Sequence, residues 1–242
     1  MMGKLYVIGA GSGNRDDFSI KADRILNCSD LIYCDERIFE KIKHNYDVKK
    51  IIKNEYSATL TRCLNALQSA AAAQNVSILG SGDTGVYGIS GIILEKSLDL
   101  RLDIEIEIVP GITAAFSGAA LLGSPLTHDF AVISLSDSLT DHKMMKKRIM
   151  GAAQSDFCIV FYGLCNTALS NLHKVDVKKL LLKYRSPETS VGIVSNIGDS
   201  SQKYEIIPLR ELVFEDIDPL ATIFVGKKST YVSENKKMIT PL

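Results

Sequence analysis

The sequence predicts an α/β protein with two domains, and three observations support this class. Short apolar segments alternate with helical patterns along the chain, which is typical of sheets built from strand-helix-strand units. Three of these segments, Lys4–Ile8, Val76–Leu79 and Ile104–Val109, run directly into glycine-containing turns. The 242 residues, 46% hydrophobic and 23% charged, suffice for one large or two small buried cores.

Charge and hydropathy exclude several classes of partner. The formal net charge is zero, and the densest basic cluster, at residues 143–148, is explained by a solvated helix face, so we expect no nucleic-acid partner. No apolar run approaches the roughly 20 residues of a membrane span, and Leu5–Ala10 is too short for a signal peptide. We therefore expect no membrane association and a cytoplasmic location.

The cysteines and histidines indicate neither a disulfide framework nor a metal held by the protein. The five cysteines are odd in number and contain no Cys-x-x-Cys spacing, and the four histidines contain no pair at helical spacing. Apolar neighbours predict that Cys28, Cys34, Cys63 and Cys158 are buried, reduced thiols.

The first glycine-rich turn, Gly9–Gly13, follows the strand at Lys4–Ile8. It fails the Gly-x-Gly-x-x-Gly pattern because Asn14 stands where the third glycine would fall, which argues against a nicotinamide site. Ser19 suits the cap of a helix. The elements expected next are a helix at Ile20–Cys28, strands at Leu31–Cys34 and Ile51–Ile52, and a helix at Leu60–Ala73.

The central turn lies in Ser77–Gly88. Asp83 suits a helix N-cap, with Gly85 and Gly88 in the first turns and an apolar face beginning at Ile89. An ordinary strand-to-helix turn explains the same residues. A third turn, Pro110–Ala115, follows Ile104–Val109. Three such turns at strand ends suggest one ligand that lies across several strand ends.

The second half of the chain begins after a linker at Gly123–Pro125, so we place the N-terminal domain at residues 1–120 and the C-terminal domain at residues 121–242. The pattern predicts an α/β domain with more antiparallel pairing than the first. We expect residues 229–242 to be frayed. The predicted elements are strands at Phe130–Leu135, Phe157–Tyr162, Val191–Ser195, Lys203–Pro208 and Thr222–Gly226, and helical regions at Lys143–Ala153 and Leu169–Leu182.

Five segments together resemble the tetrapyrrole methyltransferase family, the S-adenosylmethionine enzymes with two α/β domains. Three are the turns VIGAGSGN at 7–14, GSGDTGVYG at 80–88 and VPGITAA at 109–115. HDFAVISLSDSLT at 128–140 and VGIVSNIG at 191–198 are similar to the members of cobalamin biosynthesis that methylate C17 of precorrin-3 type macrocycles and contract the ring. The chain departs from the family at Ser12, where proline is usual.

The resemblance implies a fold with the active site in the cleft between the two domains, a tetrapyrrole substrate and a homodimer. The cofactor it implies is S-adenosyl-L-methionine, with S-adenosyl-L-homocysteine as product. It assigns cofactor contacts to Ser12, Ser81, Gly82, Asp83, Val86, Tyr87, Thr113 and Ala114 in the first domain, and to Tyr162, Gly163, Gly192, Ala221 and Thr222 in the second.

Acid–base chemistry in ring contraction would need a titratable or hydroxyl group in the cleft. The candidates are His128, Ser136 and Asp137. A surface histidine and a polar turn explain the same residues. Arg15, Lys143 and Arg148 are candidates for pairing with substrate carboxylates, or are simply solvated.

Two other functions remain open at this point. A sister methyltransferase acting at C20 or C11 is opposed by the segment at 128–140. A nucleotide-binding oxidoreductase or sensor is opposed by the broken glycine pattern at Asn14.

Overall fold

The computed structural model describes residues 3–136, 141–164 and 177–242. Contacts divide the chain between Ala114 and Ala115 into two compact units, both of the α/β class that the sequence predicts. In the described ranges, no helix is long and apolar enough to cross a membrane.

The first unit is built on a five-stranded sheet in the order β3-β2-β4-β1-β5, and every pairing is parallel. Its elements in chain order are β1 (Lys4–Gly9), α1 (Ile20–Cys28), β2 (Leu31–Asp35), α2 (Glu36–Ile42), β3 (Ile51–Asn54), α3 (Thr59–Ala71), β4 (Asn75–Gly80), α4 (Ser90–Asp99) and β5 (Glu105–Val109). Helices cover both faces, so the central strands are apolar on both sides. Strand β1 supplies Leu5 and Val7 to one core layer and Ile8 to the other.

Strands β1 and β4 are neighbours at the centre of this sheet. From β1 the chain proceeds to β2 on the far side of β4, and from β4 it proceeds to β5 on the far side of β1. The connections therefore leave in opposite directions, which opens a crevice at the carboxyl ends of these strands. The turns after β1, β4 and β5 all start at this edge.

Side-chain caps set the starts of the first two helices. Ser19 Oγ accepts the N–H of Ala22 at 3.1 Å and caps α1, which confirms the predicted start. Asp35 Oδ1 accepts the N–H groups of Arg37 and Ile38 at 2.9 and 3.1 Å and caps α2, a helix that the sequence pattern did not predict.

The prediction that Asp83 caps α4 is wrong, since this helix begins seven residues later, at Ser90. Gly82 and Tyr87 have φ of 65° and 53°, in the left-handed region. A right-handed helix cannot continue through a residue with positive φ, so the turn stays irregular up to Ile89.

The second unit contains a five-stranded mixed sheet in the order β10-β9-β11-β8-β7. Strands β7 and β8 are parallel, whereas β11 runs antiparallel to both β8 and β9, which confirms the predicted excess of antiparallel pairing. Residues 177–181 are helical. The other elements of the second unit are α5 (Ala114–Leu122), β6 (Gly123–Ser124), β7 (Phe130–Ser134), α6 (His142–Gln154), β8 (Cys158–Tyr162), β9 (Ser190–Ser195), β10 (Lys203–Pro208), β11 (Thr222–Val225), β12 (Tyr231–Val232) and β13 (Met238–Ile239).

The expectation that residues 229–242 are frayed is wrong. Strands β12, β13 and β6 form a small sheet in that order, and the side chain of Met238 is fully buried. Thr240 is also buried, and its hydroxyl donates to the carbonyl of Pro125 at 2.7 Å. Local polarity did not reveal this because the pairing partner, β6, lies more than 100 residues earlier.

Three of the four cysteines predicted to be buried are buried, free thiols, but Cys28 is exposed near the end of α1. Burial raises the pKa of the Cys34 thiol to about 12 and that of Cys63 to about 11. Both thiols therefore remain protonated at neutral pH, where they act as small apolar side chains.

Arg185 is the one arginine of the second unit that is almost completely buried within the described ranges, with 4% of its surface exposed. Its Nη1 donates to the Ala153 carbonyl at 2.8 Å and to Asp156 Oδ1 at 2.6 Å, and Nη2 donates to the Phe157 carbonyl at 2.7 Å. Burial lowers the pKa of the guanidinium, and the charge of Asp156 opposes that shift. These bonds fix the turn between α6 and β8.

Arg185→Leu is expected to lower the free energy of unfolding by about 3–5 kcal/mol, because it leaves a carboxylate and two carbonyls without their buried donor. Arg210→Leu is the matched control, since Arg210 forms half-exposed ion pairs with Glu188 and Glu211 and should change the value by less than about 1 kcal/mol. Urea unfolding followed by circular dichroism measures both. Equal effects of the two substitutions would contradict the role of Arg185.

Candidate active site

Two loops of the first unit are joined through their backbones at the carboxyl edge of the sheet. The first loop, residues 10–18, follows β1, and the central loop, residues 81–89, follows β4. Gly11 N–H donates to the Gly82 carbonyl at 3.0 Å, and Gly82 N–H donates to the Gly11 carbonyl at 2.7 Å. The bond from Ala10 N–H to the Gly80 carbonyl, at 2.8 Å, extends the strand pairing up to this bridge.

The third loop, residues 110–113 after β5, approaches the other two so closely that side chains are excluded. A Cβ at Gly111 would lie 2.3 Å from the Gly82 carbonyl oxygen and 2.6 Å from the Gly9 carbonyl carbon. A Cβ at Gly9 would lie 2.5 Å from the Gly111 nitrogen. Only glycine allows backbones to come this near. The three loops therefore meet and form one continuous surface at Gly9, Gly82 and Gly111.

The carboxylate of Asp83 links the central and third loops. Its Oδ1 accepts the N–H of Gly85 at 2.8 Å, and its Oδ2 accepts the N–H of Gly111 at 3.0 Å. Each oxygen thus satisfies one backbone donor on a different loop. Asp83 orders this edge through loop contacts, in place of the helix cap that the sequence suggested.

The remaining first-unit residues assigned to the cofactor surround this junction. The Ser12 hydroxyl donates to Asp17, and the Ser12 carbonyl accepts from Lys41 Nζ at 2.6 Å, so the backbone and side chain of Ser12 are both held. Ser81 is exposed and Val86 is half-buried. Tyr87 is 49% exposed and has the left-handed backbone described above. Strained residues of this kind often occur at binding sites.

The central and third loops also approach each other at Gly82, and we call the junction of Gly82, Thr113 and Ala114 the cradle. A Cβ built on Gly82 would lie 3.6 Å from Thr113 Cα and 3.8 Å from Ala114 N, which is van der Waals contact. Thr113 is buried, and Ala114 begins α5. The structure therefore brings Gly82, Asp83, Thr113 and Ala114 together. The cradle consists of backbone groups and small side chains.

In the second unit, three predicted residues meet at the carboxyl ends of β7 and β8. Leu135 N–H donates to the Tyr162 carbonyl at 2.7 Å. Gly163 has φ of 71°, and a Cβ there would lie 3.2 Å from Ser136 Cβ. The Tyr162 hydroxyl accepts the N–H of Ala115, at 2.5 Å, in the first turn of α5. Tyr162, Gly163 and Ser136 are therefore neighbours.

The other second-unit residues assigned to the cofactor divide into two groups. Ala221 and Thr222 are buried at the start of β11, and because this strand is antiparallel to β8 they lie at the same edge as Tyr162. Gly192 lies inside β9, where a Cβ would be 2.5 Å from Leu122 Cδ1. Its lack of a side chain makes room for α5.

The structure does not bring the acid–base candidates His128 and Ser136 together. His128 precedes β7 and Ser136 follows it, so the five residues of that strand hold them roughly 13 Å or more apart. The His128 side chain is 43% exposed, and its Nδ1 accepts the N–H of Asp129 at 2.8 Å. Asp137 lies outside the described residues.

The three candidates for pairing with substrate carboxylates are exposed. Arg15 forms an ion pair with Asp23 at 3.0 Å, whereas Lys143 and Arg148 lie on α6. Sequence reasoning missed Gly9 and Gly111 as loop contacts, although both stand in the glycine motifs. It also missed Lys41, for which no local pattern exists, because its contact with Ser12 spans 29 residues.

Comparison with known proteins identifies related chains over nearly the whole length. The model of the tetrapyrrole (corrin/porphyrin) methylases matches residues 4–213. A relative from Salmonella typhimurium, named probable cobalt-factor III C(17)-methyltransferase, is 35% identical over 237 residues, 98% of each chain. A relative from Sinorhizobium sp, named precorrin-3B C(17)-methyltransferase, is 26% identical over 97% of this chain and 92% of the relative. The crystal structure of the methyltransferase CobJ matches with a TM-score of 0.89 and 26% identity over 99% of this chain and 100% of that chain.

Gly111→Ala is expected to lower the free energy of unfolding by about 2 kcal/mol or more, because the added methyl group overlaps the Gly82 carbonyl and the Gly9 backbone. Gly91→Ala is the control: Gly91 lies in α4 with nothing within 4 Å of an added Cβ, so the value should stay constant or rise by up to ~1 kcal/mol. Denaturant unfolding measures both. A neutral Gly111→Ala would show that the three loops can separate without cost.

Proposed function

Because the chain belongs to the tetrapyrrole (corrin/porphyrin) methylase family, we propose that it transfers a methyl group from S-adenosylmethionine to C17 of cobalt-factor III in cobalamin biosynthesis. The observation that carries the proposal is the junction of the three glycine loops at a sheet edge where ligands bind, in a chain that matches a named C17-methyltransferase over 98% of its length. Contraction of the macrocycle in the same active site is part of the proposal.

The cofactor supplies an already activated methyl group, so the chain needs no nucleophile of its own. The contribution of the protein is then alignment, which can supply roughly 7–11 kcal/mol of a barrier in favourable cases. We assign the binding of the adenosyl group to the cradle at Gly82, Thr113 and Ala114. Asp83 acts by holding the central and third loops at a fixed separation.

In the second unit we assign substrate and cofactor contacts to the edge that carries Tyr162, Gly163, Ala221 and Thr222. Gly192 stays a predicted contact, although Leu122 fills the space beside it. Ser136 is the preferred acid–base group because it lies at that edge, beside Gly163. His128 remains a candidate that would act separately from Ser136.

Sequence identity to the named relatives favours the cobalt-containing substrate over the metal-free one. The relative named for cobalt-factor III is 35% identical, whereas the one named for precorrin-3B is 26% identical. The cobalt ion belongs to the substrate and needs no ligand from the chain. We further propose a homodimer in the cytoplasm, as the family resemblance implies.

The reaction can be tested directly with S-adenosylmethionine that carries a ¹³C methyl group. We expect anaerobic incubation with cobalt-factor III to yield one labelled product whose methyl carbon is attached to C17 by NMR. Parallel incubation with precorrin-3B should give less product in the same time. A methyl group at C11 or C20 would identify a sister enzyme, and no transfer to either macrocycle would refute the proposal.

Cofactor binding can be tested separately by titration calorimetry with S-adenosylhomocysteine. Asp83→Arg should abolish binding, because it removes one hydrogen bond within the central loop and one to the third loop and places a long side chain beside the cradle. Asp103→Arg, on an exposed residue before β5, should retain wild-type affinity. Preference of the wild type for NAD over S-adenosylhomocysteine would instead support the oxidoreductase alternative.

A further inference from the structure

We propose that Arg37 binds a carboxylate side chain of the macrocyclic substrate, and that Tyr56 and Arg62 position its guanidinium for that contact. This inference rests on the proposed function and adds an anion-binding group that neither the sequence motifs nor the assigned loops include. The three residues lie beyond the carboxyl ends of β2 and β3, in the first unit. We call them the arginine cluster.

The position of the cluster relative to the central loop follows from strand register. Tyr33 of β2 pairs with Ile78 of β4, so two residues further along both strands Asp35 is level with Gly80. Adjacent strands are about 4.8 Å apart. Arg37 therefore starts one strand away from the loop that carries Gly82 and Asp83, on the side of β4 opposite to the first and third loops.

The guanidinium of Arg37 is held in place but has unused hydrogen-bond donors. It stacks on the ring of Tyr56, with Cζ 3.7 Å from the ring centroid. The nearest carboxylate oxygen, Asp35 Oδ1, is 3.9 Å from Nε and already accepts two backbone N–H groups. Nε is buried without a hydrogen-bond partner in the described part of the chain, while 36% of the side chain is exposed. With Nε buried, the Nη groups at the end of the partly exposed side chain are the donors that an external acceptor can reach.

Arg62, near the start of α3, supports this arrangement. It is 2% exposed, and its Nη1 donates to the Glu55 carbonyl at 3.2 Å, directly before the one-turn helix Tyr56–Ala58 that carries the stacking ring. Its Nη2 bonds Thr59 Oγ1 at 3.4 Å. Within the described ranges, no carboxylate oxygen lies within 4.0 Å of Arg62. A charge so deeply buried without a counter-ion is costly unless an anion binds nearby.

Other polar atoms at this edge also lack partners. Nε of Arg62 and Oδ1 of Asn54, at the end of β3, are buried and make no hydrogen bond within the part of the chain that the structure describes. Together with Nε of Arg37, three such atoms occur in one small region. Buried polar groups are normally satisfied, so the two unpaired Nε donors indicate an anion at this edge, whereas a carboxylate, which only accepts hydrogen bonds, leaves Asn54 Oδ1 unsatisfied.

The guanidinium groups of the arginine cluster are chemically suited to bind a carboxylate. A guanidinium pairs with a planar carboxylate through two parallel hydrogen bonds, and the tetrapyrrole substrate is polyanionic. The exposed acidic residues Glu36 and Glu55 flank the cluster, so it has no broad positive potential. Recognition of the ligand would therefore depend on the geometry of the hydrogen bonds. S-Adenosylmethionine also has a carboxylate, but two of its three assigned loops, the first and the third, lie across β4 from Arg37, which favours the macrocycle.

The test measures two affinities of each variant: that of S-adenosylhomocysteine by calorimetry, and that of cobalt-factor III by absorbance titration with S-adenosylhomocysteine present. Arg37→Gln should weaken macrocycle binding by roughly ten- to hundredfold, the range expected for a lost charged hydrogen-bond pair. Affinity for S-adenosylhomocysteine should change less than about twofold. Arg37→Lys should restore only part of the loss, because an ammonium cannot form the bidentate pair.

Variants of Tyr56 test the positioning role without touching the cation. Tyr56→Leu should weaken macrocycle binding several-fold and raise KM with kcat unchanged, whereas Tyr56→Phe retains the stacking ring and should behave as the wild type. Arg62→Gln should resemble Tyr56→Leu, with thermal unfolding to show that it is folded. Arg24→Gln, an exposed cation on α1, is the control and should change neither affinity.

The outcomes separate this inference from the proposed function. If the wild type binds both ligands and Arg37→Gln loses no affinity for the macrocycle, the role of Arg37 is overturned and the proposed function stays intact. Loss of S-adenosylhomocysteine binding in Arg37→Gln, with macrocycle affinity retained, would assign the cluster to the cofactor and equally overturn the inference. Wild type that binds neither ligand would overturn both.

Discussion

The first unit depends on a steric constraint: the backbones of Gly9 and Gly111 lie so close to each other and to the Gly82 carbonyl that neither residue can carry a side chain. A parallel sheet places the carboxyl ends of its strands at one edge, but adjacent loops normally diverge there to accommodate their side chains. Here the absence of Cβ atoms lets the loops after three strands merge, and Asp83 then satisfies donors on two of them. The shape of the candidate site is therefore a consequence of backbone packing.

The second unit obtains a similar edge by a different route. Its sheet is mixed, so residues from the end of β8 and from the start of β11 come to the same side. Gly163 again allows close approach, in this case to the polar turn after β7. Tyr162 adds a link to the first turn of α5, where helix N–H groups have no partner of their own. Loops and helix starts are thus tied to the strands in both units.

Much of this organisation could be predicted from sequence, because buried strands and glycine turns are local patterns. The α1 cap at Ser19, the strands of the two five-stranded sheets and the three loop motifs are each defined by residues that are adjacent in the sequence. The start of α4 was mistaken because the left-handed backbone at Tyr87 has no sequence signature. The small sheet of β6, β12 and β13, and the separation of His128 from Ser136, depend on pairings that only the folded chain defines. The exposure of Cys28 is likewise a property of how α1 ends.

The reciprocal hydrogen bonds between Gly11 and Gly82 have a consequence for the energetics of recognition. Loops that bind ligands often lose conformational entropy when the ligand arrives, and that loss reduces affinity. In this chain the two loops lose that freedom when the unit folds, since each backbone holds the other. Association then involves little rearrangement of the main chain, and differences in ligand preference between related chains should arise from the side chains that project from this rigid frame.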